Sequence, residues 1–288
     1  MNVAHGPDEL EPARRAVAIG TFDGVHRGHV RVLEAAFAAG LRPAVVTFDP
    51  HPRTYFGGDV PLLATLERRL ELLDRVGIED VLVCRFDGAT AELSAEEFAD
   101  DVLRVAGAEV VAAGDGFRFG RGRSGDLALL ERLGFDVRRV PLVDNVSSSH
   151  IRALLAAGDV AHAAQLLGRP PEVEGVVVSG DRRGAGLGFP TANLAIPHGL
   201  LVPALGIYAG AAHGHRAAIS IGTNPHFGGT ERRVEAHLLD YDGDLYGQRL
   251  IVELWERLRD EAAFGSEAEL VAAIDADVQR AREAKSPT

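Results

Sequence analysis

The chain of 288 residues holds a single lysine, Lys285, close to its C-terminus. A lysine-dependent phosphate loop and a Schiff-base lysine are therefore excluded from the body of the protein. Any grip on phosphate has to come from arginine, histidine, helix ends or a metal. The single cysteine, Cys84, cannot form an internal disulfide. It sits in the apolar run 81–86, where a buried core thiol is expected, and a reducing cytoplasm suits that usage. No stretch of about 18 apolar residues occurs, so no transmembrane helix and no membrane partner are expected. Residues 1–15 are acidic and polar and lack the hydrophobic segment of a secretory signal. Positive charge is scarce too. With 30 basic and 42 acidic residues the net charge is −12, which argues against a nucleic-acid partner. What is present is globular composition, 46% hydrophobic and 25% charged, in a length that suits one large or two ordinary domains.

The first half alternates strands and helices. An apolar strand with Val17 and Ile19 ends at Gly20, and a glycine-containing turn follows. Val30, Leu33 and Phe37 then predict a helix from near His29 to a stop at Gly40. A second strand at 44–48 completes a β-α-β crossover. Leu66, Leu70, Leu73 and Val76 predict a helix stopped by Gly77, and 80–86 reads as a strand. Ser94-Ala-Glu-Glu97 is a capping box opening a helix that ends at Gly107. Strands at 110–114 and 136–140 flank a helix capped by Asp126 and ended by Gly134. This alternation predicts a doubly wound parallel sheet. A further helix ends at Gly158, and Asp159 caps another.

Near Arg169-Pro-Pro171 the pattern changes to short β-rich runs at 176–178, 207–212, 216–221, 234–239 and 250–254. Their spacing predicts a small antiparallel barrel. His213-Gly-His215 and Asp242-Gly-Asp244 read as hairpin turns. Ser266 caps a closing helix with Leu270, Ile274 and Val278 on one face. The expected fold is thus α/β: a Rossmann-like doubly wound domain over 1–170, then a small β-barrel with a terminal helix over 171–288, with the boundary at about 169–172.

Six stretches carry candidate chemistry. Gly20-Thr-Phe-Asp-Gly-Val-His-Arg-Gly-His29 places Gly20, Phe22, Asp23 and two histidines at a strand–turn–helix junction. Free backbone N–H groups and the positive helix end face an anion there, and His26 and His29 can donate hydrogen bonds to a phosphate. Thr47-Phe-Asp-Pro50-His51-Pro52 stiffens a loop at a strand's C-terminal end, where open α/β sheets bind ligands. Gly114-Asp115-Gly-Phe117-Arg-Phe119-Gly120 follows its strand directly and is locally basic through Arg118, Arg121 and Arg123. Val146-Ser147-Ser148-Ser149-His-Ile-Arg152 offers hydroxyls at a helix start with an arginine one turn in, a pattern that suits a polyphosphate or a plain serine cap. Gly180 to Asn193 is dense in glycine and ends in Gly188-Phe-Pro-Thr191-Ala-Asn193. Glu235 lies in the strand-like run Val234-Glu-Ala-His-Leu-Leu-Asp240, opposite in facing to Val234.

These motifs, in this order, resemble those of prokaryotic bifunctional riboflavin kinase/FAD synthetases from about residue 16 to 284. The first matches the HxGH signature of nucleotidylyltransferases in its longer form G-x-F-D-G-x-H-x-G-H. Others resemble T-F-x-P-H-P, I-S-S-T-x-I-R, the flavokinase segment G-F-P-T-A-N, and V-E-x-H-L-L-D. The resemblance implies phosphorylation of riboflavin to FMN by ATP, then adenylylation of FMN to FAD with release of pyrophosphate. It implies phosphate contacts at Gly20, Phe22, Asp23, Ser147, Ser148, Ser149, Gly184 and Gly188. Flavin contacts would fall at Pro50, His51, Pro52, Asp115, Phe117 and Phe119. Thr191 and Asn193 would hold Mg²⁺ with the ATP phosphates, and His26, His29, Arg152 and Glu235 would be catalytic, Glu235 as general base. The chain departs from the family pattern at Gly116, where Asp or Asn is usual, and at Ser149 in place of Thr. It departs also at Ala185 and Gly186, where an arginine is common, and at His226 in the Ile221-Gly-Thr-Asn-Pro-His226 motif. Three other readings stand beside this one: an enzyme keeping one of the two activities, a nucleotidylyltransferase acting on a non-flavin phosphate, and a flavin-binding sensor or carrier without turnover. Self-association is left open by the sequence.

Overall fold

A computed structural model of the chain describes residues 1–180, 183–223 and 232–287. The Asn224-Pro-His226 stretch lies outside the described residues. The chain forms two compact units, Met1–Val60 with Leu66–Val146, and Pro61–Thr65 with Ser147–Thr288.

The first unit runs β1 (Asn2–Ala4), β2 (Arg15–Ile19), α1 (Arg27–Phe37), β3 (Arg42–Asp49), α2 (Pro52–Tyr55), α3 (Leu66–Val76), β4 (Asp80–Arg85), α4 (Gly88–Glu92), α5 (Ala95–Glu97), β5 (Ala108–Gly114), α6 (Leu127–Arg132) and β6 (Asp136–Val140). Its six strands pair in parallel in the order β1-β4-β3-β2-β5-β6. Every residue of β2 is buried, because parallel sheets are covered on both faces. Alternate residues feed two cores. Val17, Ile19, Val46, Leu82 and Val111 pack with Phe98 and Leu103 on one side, while Ala16, Ala18, Val45 and Val81 pack with Leu33, Leu72 and Leu73 on the other. Cys84 lies buried in the first of these cores, and desolvation pushes its thiol up to about 12, so it is an inert core residue.

Two elements differ from expectation. Residues 2–4, part of the acidic and polar 1–15 stretch in which no element was expected, add the edge strand β1 against β4. The helix opened by the Ser94–Glu97 capping box does not continue as an α-helix but winds into wider π turns over Phe98–Arg104.

The second unit contains α7 (Ser148–Ala156), α8 (Val160–Leu167), β7 (Glu172–Val178), α9 (Arg183–Gly186), β8 (Ala192–Ala195), β9 (Gly206–Ala212), β10 (His215–Thr223), β11 (Arg232–Leu238), β12 (Arg249–Arg259) and α10 (Glu267–Glu283). The strands close into an antiparallel barrel ordered β10-β11-β8-β7-β12-β9. Its interior is filled by Val177, Leu194, Tyr208, Ile219, Val234, Ala236 and Val252. α8 packs on β12, and α10 on β9 and β10. The β9–β10 hairpin turns on His213 and Gly214, both at positive φ (51° and 79°), as a two-residue hairpin turn requires. Asp242-Gly-Asp244 is not a hairpin turn. The strands on either side of it are not neighbours, since β11 pairs with β10 and β8 while β12 pairs with β7 and β9. β8, which follows the glycine-rich stretch, was not expected as a strand.

Candidate functional site

In the first sheet the chain builds outward from β2 through β3 and β4, then returns to lay β5 on the other side of β2. The strand order therefore reverses between β2 and β5, and ligands of open α/β sheets bind beyond the carboxyl ends at such a point. The 20–26 turn leaves β2 there, and the 115–119 loop leaves β5.

The turn has a specific construction. α1 begins at Arg27, two residues earlier than the apolar spacing predicts, because His26 serves as its N-cap. The Nδ1 of His26 accepts from the backbone N–H of His29 at 3.2 Å, so its proton sits on Nε2. The rings of His26 and His29 stack with centroids 3.6 Å apart and planes 11° apart. Gly28 makes this stacking feasible, since a Cβ there would fall 3.1 to 3.2 Å from the His26 ring. Phe22 tilts against His29 at 5.1 Å. Phe22 and Val25 hold positive φ angles of 49° and 38°, uncommon for such side chains. Both are buried, as are Asp23 and His26, so packing holds the turn in this shape.

Behind the turn lies Arg69 of α3, a residue that no motif singled out. Its Nη1 donates to the Thr21 carbonyl (2.7 Å), the Thr47 hydroxyl (3.1 Å) and the Phe48 carbonyl (3.1 Å), and its Nη2 lies 3.5 Å from Asp49. The Thr47 hydroxyl in turn donates to Thr21 O at 3.1 Å. One buried guanidinium thus joins the histidine turn to the end of β3. Burial pulls its pKa below the ordinary arginine value, against the opposing pull of Asp49 and Asp23. The sequence signal was there: Arg69 stands three residues after Leu66 and next to Leu70, on the stripe that α3 turns inward.

Beyond β3, the Asp49–Pro50 peptide is cis. His51 caps α2, its Nδ1 accepting from Arg53 N at 3.1 Å, with Pro52 as the first helical residue. The same strand ends carry an aromatic group that the motifs did not reveal. Phe86 meets Phe48, Tyr55 and Phe56 at 5.9, 5.5 and 5.8 Å, and Tyr55 and Phe56 are exposed. Across the switch point, Asp115 is exposed, Phe117 is half-buried, and Phe119 is buried against Phe98. Phe117 stacks on Phe119 at 5.7 Å. Open space surrounds Gly116, so a larger side chain would fit there. Arg118 pairs with Asp126 and Arg121 with Glu92, which neutralises much of that loop's positive charge.

The 147–152 stretch belongs to the second unit. Ser147 is the N-cap of α7, its hydroxyl accepting from His150 N at 3.2 Å. Ser148 and Ser149 occupy the first helical positions. Arg152, one turn in, donates through Nε to the Pro61 carbonyl at 2.7 Å.

On the barrel, β11 turns Val234 and Ala236 inward, both fully buried, and Glu235 outward. Register places Glu235 opposite Asn193 of β8 and opposite Ser220 of β10. Its carboxylate accepts from the Thr191 hydroxyl and from Arg233 Nη1, each at 3.2 Å. Asn193 Oδ1 is buried with no hydrogen-bond partner among the described residues. Its side chain fits because residue 180 is glycine; a Cβ there would fall within 2.5 Å of the amide. Gly184 O accepts from Phe189 N at 2.8 Å, closing the glycine-rich loop on itself, and Gly188 takes φ +91°. Thr191 and Asn193 thus present neutral oxygens beside a carboxylate, the donor class that a hard divalent cation takes, and the amide oxygen has capacity left. No group of three or more His, Cys, Asp or Glu able to hold a metal occurs among the described residues, so phosphate oxygens and water would have to complete such a shell.

Residues 8–152 match the FAD synthetase family model, and residues 167–285 match the riboflavin kinase model. The chain is 38% identical to the bifunctional riboflavin kinase/FMN adenylyltransferase of Escherichia coli (strain K12), over 98% of this chain and 97% of that one. It is 36% identical to the protein of the same name from Pseudomonas fluorescens, over 100% and 99%. A crystal structure described as a macrolide-efflux protein from Streptococcus pneumoniae matches with TM-score 0.88 and 30% identity, covering 97% of this chain and 98% of that one. That description belongs to the other protein; among the described residues of this chain, no helix is long and apolar enough to cross a membrane. Both family models and the full-length relatives agree: the chain belongs to the bifunctional riboflavin kinase/FMN adenylyltransferase family.

Proposed function

We propose that this chain phosphorylates riboflavin with ATP to give FMN, and then joins FMN to AMP from a second ATP to give FAD and pyrophosphate. The kinase reaction is assigned to residues 171–288 and adenylyl transfer to residues 1–170, both in a reducing cytoplasm. The observation that carries the reading is the barrel face. There a strand carboxylate, Glu235, sits opposite Asn193 and in hydrogen-bond contact with Thr191.

In the kinase reaction Glu235 takes the proton from the ribityl 5′-hydroxyl. The oxygen attacks the γ-phosphorus of ATP, and ADP leaves. The bonds from Thr191 and Arg233 aim the carboxylate and reduce its freedom to rotate away. Thr191 and Asn193 would hold Mg²⁺ together with the ATP phosphates; the bound ion neutralises charge on the phosphates.

In adenylyl transfer a phosphate oxygen of FMN attacks the α-phosphorus of ATP. Pyrophosphate leaves, and no covalent enzyme intermediate is needed because the nucleophile is already an anion. The protein's work is placement and charge stabilisation. His26, with its proton on Nε2, and His29 donate toward the developing charge. The half-buried Phe117 and the aromatic group at Tyr55, Phe56 and Phe86, near Pro50, His51 and Pro52, offer flat apolar surface for an isoalloxazine ring. Ser148, Ser149 and Arg152 are assigned to the departing pyrophosphate on the family resemblance.

Incubating the protein with riboflavin, ATP and Mg²⁺ and separating the products by chromatography tests this. FMN should appear first and FAD after it. Absence of both FMN and FAD overturns the kinase assignment, and FMN accumulating without FAD overturns the assignment of adenylyl transfer.

A further inference from the structure

The outward face of β11 carries Arg233, Glu235 and His237 at every second position. Glu235 accepts from Thr191. Two residues along, His237 Nδ1 lies 2.8 Å from the carbonyl oxygen of Pro190. A carbonyl can only accept, so the ring N–H donates and the proton is on Nδ1. The His237 ring also meets Phe189 edge-on, with centroids 5.6 Å apart and planes at 85°.

Alternate residues of one strand therefore hold consecutive residues of the glycine-rich segment, His237 holding Pro190 and Glu235 holding Thr191. Proline has no N–H, so its carbonyl is the one backbone polar group by which residue 190 can be fixed. The Pro190–Thr191 peptide is planar, so fixing that carbonyl fixes the plane from which the Thr191 side chain departs. Upstream, the loop closes on itself, with Leu187 N and Phe189 N both donating to Gly184 O. Downstream, Ala192 enters β8. His237 thus fastens the loop to the barrel wall one residue before the threonine.

We infer that His237 is a positioning residue for phosphoryl transfer: its ring N–H, held on the Pro190 carbonyl, sets Thr191 against the Glu235 carboxylate. It has no part in the chemistry and need touch neither substrate. The inference rests on the kinase reading above.

The test uses the full chain and three variants, His237→Ala, His237→Phe and His237→Asn, assayed for riboflavin phosphorylation with ATP and Mg²⁺. FMN adenylylation by the same preparations is the internal control. Asn keeps an amide N–H close to the position of Nδ1, while Phe keeps the ring without the donor. Loss of one neutral hydrogen bond should lower kcat for FMN formation roughly three- to tenfold in the Ala and Phe variants. KM for riboflavin should be unchanged within about twofold, kcat should be largely restored in the Asn variant, and adenylylation should be unaffected in all three. Wild-type kcat in the Phe variant overturns the inference, as does equal loss in all three variants or a parallel fall in adenylylation. A wild-type chain that makes no FMN from riboflavin is a different result; it removes the kinase reading, and this inference with it.

Discussion

The two units handle polar side chains in contrasting ways. In the first, the groups around the histidine turn are withdrawn from solvent: Asp23, His26, Thr47 and Arg69 are 2%, 5%, 0% and 3% exposed. In the second, Glu235 stands on the outside of a barrel strand with 29% of its side chain exposed. The difference follows from the sheets. A parallel sheet covered on both faces leaves polar chemistry only the strand ends. The turn after β2 must then be shaped by burial and tied down by Arg69. An antiparallel barrel keeps one face wet, so strand alternation and register are enough to set Glu235 beside Asn193. One candidate site depends on a strained, clamped turn and the other on pairing geometry.

That contrast can be broken most sharply at Glu235. Glu235→Gln keeps the shape and removes the proposed base, so FMN formation should fall by about 10² to 10⁴ while adenylylation of supplied FMN proceeds normally. Unchanged kinase turnover would take Glu235 out of the reaction. His29→Ala removes one donor from the opening turn and should lower FAD formation by about 10² to 10³, with riboflavin phosphorylation intact. Loss of both activities would show that the two sites are not independent. Arg69→Gln sharpens the comparison through stability. It leaves Thr21 O, Thr47 Oγ1 and Phe48 O without their shared donor, and should cost about 2 to 3 kcal/mol in urea unfolding. Below the transition the variant should lose adenylylation and keep kinase activity. An unaltered unfolding curve would show that the clamp contributes nothing.

The sequence made much of this legible where pattern and position coincide. Leu66, Leu70, Leu73 and Val76 marked α3 with the bounds it has, Leu66–Val76, and the His213-Gly214 turn marked its hairpin. The alternation around Glu235 correctly turned its side chain away from Val234. Legibility failed where tertiary partners decide. β1 and β8 have three and four residues, too few to show a period, and exist because β4, β7 and β11 are there to pair with them. The start of α1 was missed because histidine is not among the usual helix caps; His26 caps it through Nδ1. Asp242-Gly-Asp244 has hairpin composition, but barrel closure gives its flanking strands other partners. Arg69 lies inside a charge-rich helix, and its three acceptors come from segments more than twenty residues away.

The central claim, that two independent sites in one chain perform successive reactions, is tested most directly by mixing the two inactivated variants. His29→Ala protein, which retains the kinase site, and Glu235→Gln protein, which retains the adenylylation site, are combined with riboflavin, ATP and Mg²⁺. The account predicts that either protein alone yields FAD at no more than about a hundredth of the wild-type rate and that the mixture yields far more, because FMN released by the first is adenylylated by the second. A mixture that makes FMN but no FAD, or no product at all, would contradict it.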